Sequence, residues 1–149
     1  MRLPMLGKRA DFLRVKSGVN WGTKGFSLQA AWQIGVDPHN HEQTQLGRPR
    51  FGITVSNHSI RRMLNEKSPQ KPQSPPKPHR RGPVSVQRNR ARRRLRAALQ
   101  KLAPSLAQNG VDYVLVGRPA LETLSFEIIL KDLEKSFQKV HRRLISTNN

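Results

Sequence analysis

Between Arg88 and Arg96 the chain reads Arg-Asn-Arg-Ala-Arg-Arg-Arg-Leu-Arg, and this run constrains the fold more than any other segment. Ala91 and Leu95 are continued by Ala98, Leu99 and Leu102, so apolar side chains recur at helical spacing and form one stripe. The spacing predicts a helix over 85–102, capped by Ser85 after Pro83 and ended by Pro104 and Gly110. On that helix Ala91 and Leu95 point into a core. Arg92, Arg96, Asn89 and Arg93 occupy a contiguous outward arc, Arg90 and Arg94 flank the stripe on its other side, and Arg88 borders the apolar edge. Seven charged or amide groups crowd about two and a half turns and repel one another unless a polyanion compensates them.

The whole chain has the same bias. Its 149 residues carry 28 Lys+Arg against 9 Asp+Glu, a formal net charge of +19. Twelve of the basic residues lie between Glu66 and Asp112 with no acid among them. Arginine presents a planar fork of donors that matches phosphate oxygens, so nucleic acid is the leading partner and an anionic membrane surface the second. The opposing reading is a solvated basic face whose arginine stems cover apolar surface. One sign of charge, a helical placement and a strongly basic chain favour nucleic acid.

The remaining segments describe a small mixed domain. Residues 7–17 read as a short helix on which Phe12 and Val15 share a face, with Leu13 beside them; Gly18 and Gly22 break the pattern. Residues 26–33 alternate as a strand, 34–49 are loop-like, and Phe51, Ile53 and Val55 alternate in a second strand. Residues 111–117 form an apolar strand with Val114, Leu115 and Val116 buried. Ser125 opens a last helix with Phe126, Ile129, Leu130, Leu133, Phe137, Val140 and Leu144 along one face. Residues 64–83 hold six of the eleven prolines among Gln, Ser and Lys and read as a disordered, solvated insert in a single domain over 1–149. The order helix, strand, strand, insert, helix, strand, helix gives an α+β chain with too few strands for a large doubly wound sheet.

Several function classes are excluded or disfavoured. There are no cysteines, hence no disulfides, thiolate metal sites or cysteine nucleophiles, which fits a reducing cytoplasm. No apolar run approaches a membrane span, and the N-terminal stretch, with Asp11 and Arg14 inside it, is not a signal peptide. His39, His41, His58, His79 and His141 lack metal-ligand spacing, the acids do not pair as a two-metal nuclease site, and no Gly-rich phosphate loop is present. Asp132 and Glu134, set among Lys131 and Lys135, read as a surface charge pattern. Phe26, Phe51, Thr54 and Ser56 either offer stacking and hydroxyl contacts to a single strand or, for the two phenylalanines, belong to the core.

The Arg88–Arg96 run resembles the signature helix of the bacterial ribonuclease P protein component. Lys8–Val15 (KRADFLRV) is similar to that family's first helix, Arg50–Ser56 (RFGITVS) to the strand before the signature, and Asp112–Pro119 (DYVLVGRP) to its later strand. The resemblance implies a compact α/β sandwich, a small mixed sheet with packed helices, in which the signature helix joins two parallel strands by a left-handed βαβ crossover. It implies that Arg88, Asn89, Arg90, Arg92, Arg93 and Arg96 touch a catalytic RNA. It also implies a cleft between the first helix and the sheet, lined by Phe12, Thr54 and Ser56, that holds the 5′ leader of precursor tRNA. Catalysis is then expected from the RNA, with Mg²⁺ held mainly by RNA and substrate, and with no membrane and no obligate protein partner. Asn57 and His58 stand where relatives often carry two lysines. Lys16 and Gln29 replace aromatics found in some relatives, so leader contact is expected to rely less on stacking. A structural, ribosome-associated RNA-binding protein is the alternative, and a DNA-binding module comes third for want of a helix-turn-helix pair or zinc module.

Overall fold

A computed structural model describes residues 3–34, 47–55 and 82–147, with only the backbone described at 82–85 and 147. Its elements are α1 (Arg9–Lys16), β1 (Val19–Gly22), β2 (Phe26–Trp32), β3 (Arg50–Thr54), α2 (Gly82–Leu106), β4 (Val111–Gly117), a 3-10 turn (Pro119–Thr123) and α3 (Phe126–Thr147). The four strands form one mixed sheet in the order β1-β2-β4-β3. β2 pairs antiparallel with β1 and β4, while β3 lies parallel to β4, so α2 belongs to a βαβ crossover.

Strand alternation divides the apolar residues between two layers. One sheet face presents Phe26, Leu28, Ala30, Phe51, Ile53, Val111, Tyr113 and Leu115 to a core closed by α2 and α3. The apolar stripe of α2 contributes Ala91, Leu95, Ala98, Leu99 and Ala103, and that of α3 contributes Ile129, Leu133, Phe137, Val140 and Leu144. Tyr113 stacks on Phe51 at 5.6 Å and meets Phe137 edge-on at 5.1 Å between ring centroids. Its hydroxyl accepts from the Gln108 amide at 2.9 Å and lies 2.6 Å from His141 Nε2. Phe26 and Phe51 are therefore core residues, buried to 0% and 1% exposure, and are not stacking platforms. α1 covers the opposite face, where Leu6, Val15, Ala31 and Val114 form a smaller cluster with Phe12 and Val116 packed against it.

Several boundaries differ from the sequence expectation. Gly18 precedes an edge strand that ends on Gly22: Val19 and Trp21 pack on the core and alternate with exposed Asn20 and Gly22, a pattern only four residues long. α2 begins at Gly82, so the expected insert ends earlier and Ser85 is not the cap. Pro83 stands in the first turn, where a missing amide hydrogen costs nothing. The helix also runs through Pro104 to Leu106, because so late a proline deprives only the Gln100 carbonyl of its helical partner. Gly110 does end the segment, turning at φ 82°, a conformation that favours glycine. Leu13 is 54% exposed, and Val116 is only half-buried. Residues 3–6 extend the sheet past its expected edge: Leu6 N donates to Phe51 O at 2.7 Å and Phe51 N to Pro4 O at 2.9 Å. Residues 64–81 of the expected insert lie outside the described residues, as do Ser56, Asn57 and His58.

Candidate nucleic-acid interface

Burying the α2 stripe fixes which way its polar residues face. Arg88, Asn89, Arg90, Arg92, Arg93 and Arg96 are all exposed, so the structure brings the whole predicted set together on one helix. Arg92 Nη2 donates to the Ile53 carbonyl at 3.3 Å, which places the Arg92–Arg96–Asn89–Arg93 arc along the β3 edge. A cavity of about 100 Å³ lies at this edge between Arg96, Gln100, Leu3 and Met5. Asp11 and Asp112 pair with Arg14 and Arg50, and among the described residues no ion pair reaches Arg88, Arg90, Arg92, Arg93 or Arg96.

Arg94 has a different role. It is half-buried and donates to the Leu121 carbonyl at 2.7 Å and to the Leu124 carbonyl, tying α2 to the 3-10 turn. Burial lowers its guanidinium from the ordinary value, the Arg90 charge adds to this, and Glu122 opposes it. Sequence spacing places Arg94 beside the stripe, but the carbonyls that capture it come from a turn that carries no pattern.

The predicted cleft residues are positioned by α1 and β3. A Cβ at Gly52 would stand 2.5 Å from Phe12 Cε1, so the Phe12 ring rests directly on the β3 backbone, and glycine there is what lets it. Thr54 is two residues further along the same sheet face. It pairs in register with Val116, which pairs with Ser27, and Ser27 with Gly22. Thr54, Val116 and Ser27 are half-buried and make a floor beyond the Phe12 wall. Gln29 is in the neighbouring row, opposite Val114, and Lys16 is exposed at the end of α1. Arg118, unassigned by sequence reasoning, closes the far end of this floor. A Cβ at Gly22 would lie 2.7 Å from its Nη2, and its Nη1 donates to the Thr23 carbonyl at 2.7 Å. The arginine arc and the cleft thus lie on opposite faces of the sheet and share β3.

A buried ion cluster holds α1 against the sheet. Asp112 is 0% exposed. It accepts from Arg50 Nε at 3.0 Å, Arg50 Nη2 at 2.7 Å, Gln33 Nε2 at 3.0 Å and Arg14 Nη2. Burial alone would push its carboxyl up; the bonds from Arg50, Arg14 and Gln33 outweigh it and hold the group below the usual carboxylate range. With both oxygens occupied, Asp112 is unsuited to holding a metal. Among the described residues, no three His, Asp or Glu side chains gather to hold one.

Comparison with known proteins places this architecture. The family model described as Ribonuclease P matches residues 78–141, which include the arginine arc, β4 and most of α3. The ribonuclease P protein component of Paramagnetospirillum magneticum is 36% identical over 140 residues, spanning 93% of this chain and 84% of that one. The chain belongs to the ribonuclease P protein component family. The component from Gluconacetobacter diazotrophicus is 31% identical over 139 residues, spanning 93% of this chain and 91% of its own. The fold is shared with the RNase P protein of Staphylococcus aureus (TM-score 0.57, 19% identity, 92% and 94% coverage of this chain and that one). It is shared also with that of Thermotoga maritima (TM-score 0.52, 17% identity, 89% and 92% coverage). As a ribonuclease P protein component, the chain is a subunit of the tRNA 5′-processing ribonucleoprotein, and hence part of an endoribonuclease complex. The ribosome-associated alternative is not favoured.

Proposed function

We propose that this ribonuclease P component binds the catalytic RNA through the α2 arc and the 5′ leader of precursor tRNA through the α1–sheet cleft. The RNA performs the hydrolysis with Mg²⁺ held mainly by RNA and substrate. The observation that carries the reading is the exposure of Arg88, Arg90, Arg92, Arg93 and Arg96 on one helix, with no ion pair to them among the described residues. Such a surface screens phosphate repulsion and gains from counterion release. Arg92 is steadied by the Ile53 carbonyl and keeps further donors for phosphate. Phe12 supplies one stacking face, Thr54 a hydroxyl, and Arg118 a cation at the end of the floor. Leader recognition then rests on one aromatic with polar and cationic support, in line with Lys16 and Gln29 in place of aromatics.

Reconstitution tests this. The protein is mixed with a bacterial ribonuclease P RNA and precursor tRNA, and 5′ cleavage is followed at low and high Mg²⁺. The reading expects cleavage that the protein stimulates most at low Mg²⁺. No stimulation at any Mg²⁺ concentration contradicts it.

A further inference from the structure

α3 carries a second line of cations, away from the α2 arc. Lys131, Lys135 and Arg142 are exposed and Lys139 is half-buried. Their helical spacing puts all four on one side, opposite the buried stripe of Ile129, Leu133, Phe137, Val140 and Leu144. Glu127 and Glu134 border the line beside Lys131, at i,i+4 and i,i+3, and Asp132 borders it on the other side. Among the described residues, no ion pair engages these four cations.

The line is braced against the sheet. Lys139 Nζ stands 5.3 Å and Arg143 Cζ 4.9 Å from the Trp21 ring centroid, and Arg143 also donates to the Asn20 carbonyl. Cation–π contact thus holds the α3 charges beside β1. In the order β1-β2-β4-β3, β1 is the edge opposite β3, so the two basic surfaces flank the sheet. The surface carries an excess of cations, bordered by Glu127, Glu134 and Asp132. Three of its four cations are lysines, whose ammonium groups act as point charges, and so it suits a phosphate backbone over base edges.

We infer that the α3–β1 edge is a second docking surface for RNA, engaging the phosphodiester backbone of the catalytic RNA at a segment other than the one met by α2. This rests on the RNA-binding reading of the α2 arc. The protein is then wedged between two backbone segments of one folded RNA, and its +19 charge is met from both sides.

Binding to the catalytic RNA alone, without precursor, is measured across a salt series. The variant is Lys131→Ala/Lys135→Ala/Arg142→Ala, with Lys139 and Arg143 kept because they brace Trp21. Losing three phosphate contacts should flatten the slope of log K against log salt by about 2–3. An Arg92→Ala/Arg96→Ala variant is run beside it, and the two losses should add. An unchanged slope in the α3 variant, with the α2 variant flattened, overturns this inference and leaves the α2 reading standing. Unchanged slopes in both overturn the two together. Loss of binding to phosphatidylserine vesicles with no change toward RNA would assign the surface to membrane and likewise overturn it. Circular dichroism checks folding; should the triple alanine variant unfold, Lys131→Gln/Lys135→Gln/Arg142→Gln takes the same measurement.

Discussion

Single side chains decide which charges this protein spends on itself. Asp112 is the clearest case, since its carboxylate is buried and shared by Arg14 and Arg50 from α1 and β3. Asp112→Asn leaves two guanidinium groups facing a neutral amide and should cost about 3–5 kcal/mol in a denaturant titration. The pH dependence has a definite sign. The folded carboxyl lies below its unfolded value, so its stabilisation is complete above the ordinary carboxylate range and is lost as pH falls through the folded value. The parent protein should therefore lose stability below about pH 4, and Asp112→Asn should lose less over that window. His141 acts in the same direction at higher pH, because burial lowers its pKa and favours the neutral ring beside Tyr113. Phe12 is a residue-scale test of the cleft. Phe12→Ala should weaken binding of precursor carrying a 5′ leader by about 1–3 kcal/mol and leave leaderless tRNA unaffected, as read by competition binding.

The elements show why one arginine run serves two purposes. α2 is held by Leu95 and Leu99 below and by Arg94 at the side, and it offers the rest of its arginines to solvent. Leu95→Ala should destabilise the fold by about 2–5 kcal/mol, since Leu95 is fully buried. Arg94→Ala should cost about 1–3 kcal/mol by leaving the Leu121 and Leu124 carbonyls short of a donor. At low denaturant its salt slope for RNA binding should stay close to that of the parent. The long apolar stripes of α2 and α3 and the alternation in β2 and β3 are legible in the sequence because local period and tertiary burial agree there. β1 is not, since Val19–Gly22 is short, bracketed by glycine, and becomes a strand only by pairing with β2. The pairing of residues 3–6 with Phe51 and the inward turn of Arg94 depend equally on distant partners. Asp112 sits in an apolar strand whose pattern gives no sign of two arginines arriving from elsewhere. The outward arc of α2 is legible from spacing, while the choice of six positions that omits Arg94 comes from the family resemblance. Phe12 and Thr54 were singled out by family resemblance, and Arg118 emerged only once β1 was seen to reach it.

At the scale of the molecule, the sheet separates its surfaces. Apolar burial on one face sets α2 and α3 side by side and turns their charged sides toward opposite edges. α1, clamped through Asp112, leaves the other face with a partly open floor of Thr54, Val116 and Ser27. A chain with so few acids satisfies its buried carboxylate, spends Arg94 on the 3-10 turn and keeps the other α2 arginines outside, which leaves a surface that calls for a polyanion.

The central claim, that the exposed α2 arginines neutralise folded RNA, is tested most directly by salt-dependent binding of Arg92→Ala/Arg96→Ala to a ribonuclease P RNA. The account predicts weaker binding, a slope of log K against log salt shallower by about 1–2, and an unchanged melting curve. A slope equal to that of the parent would contradict it.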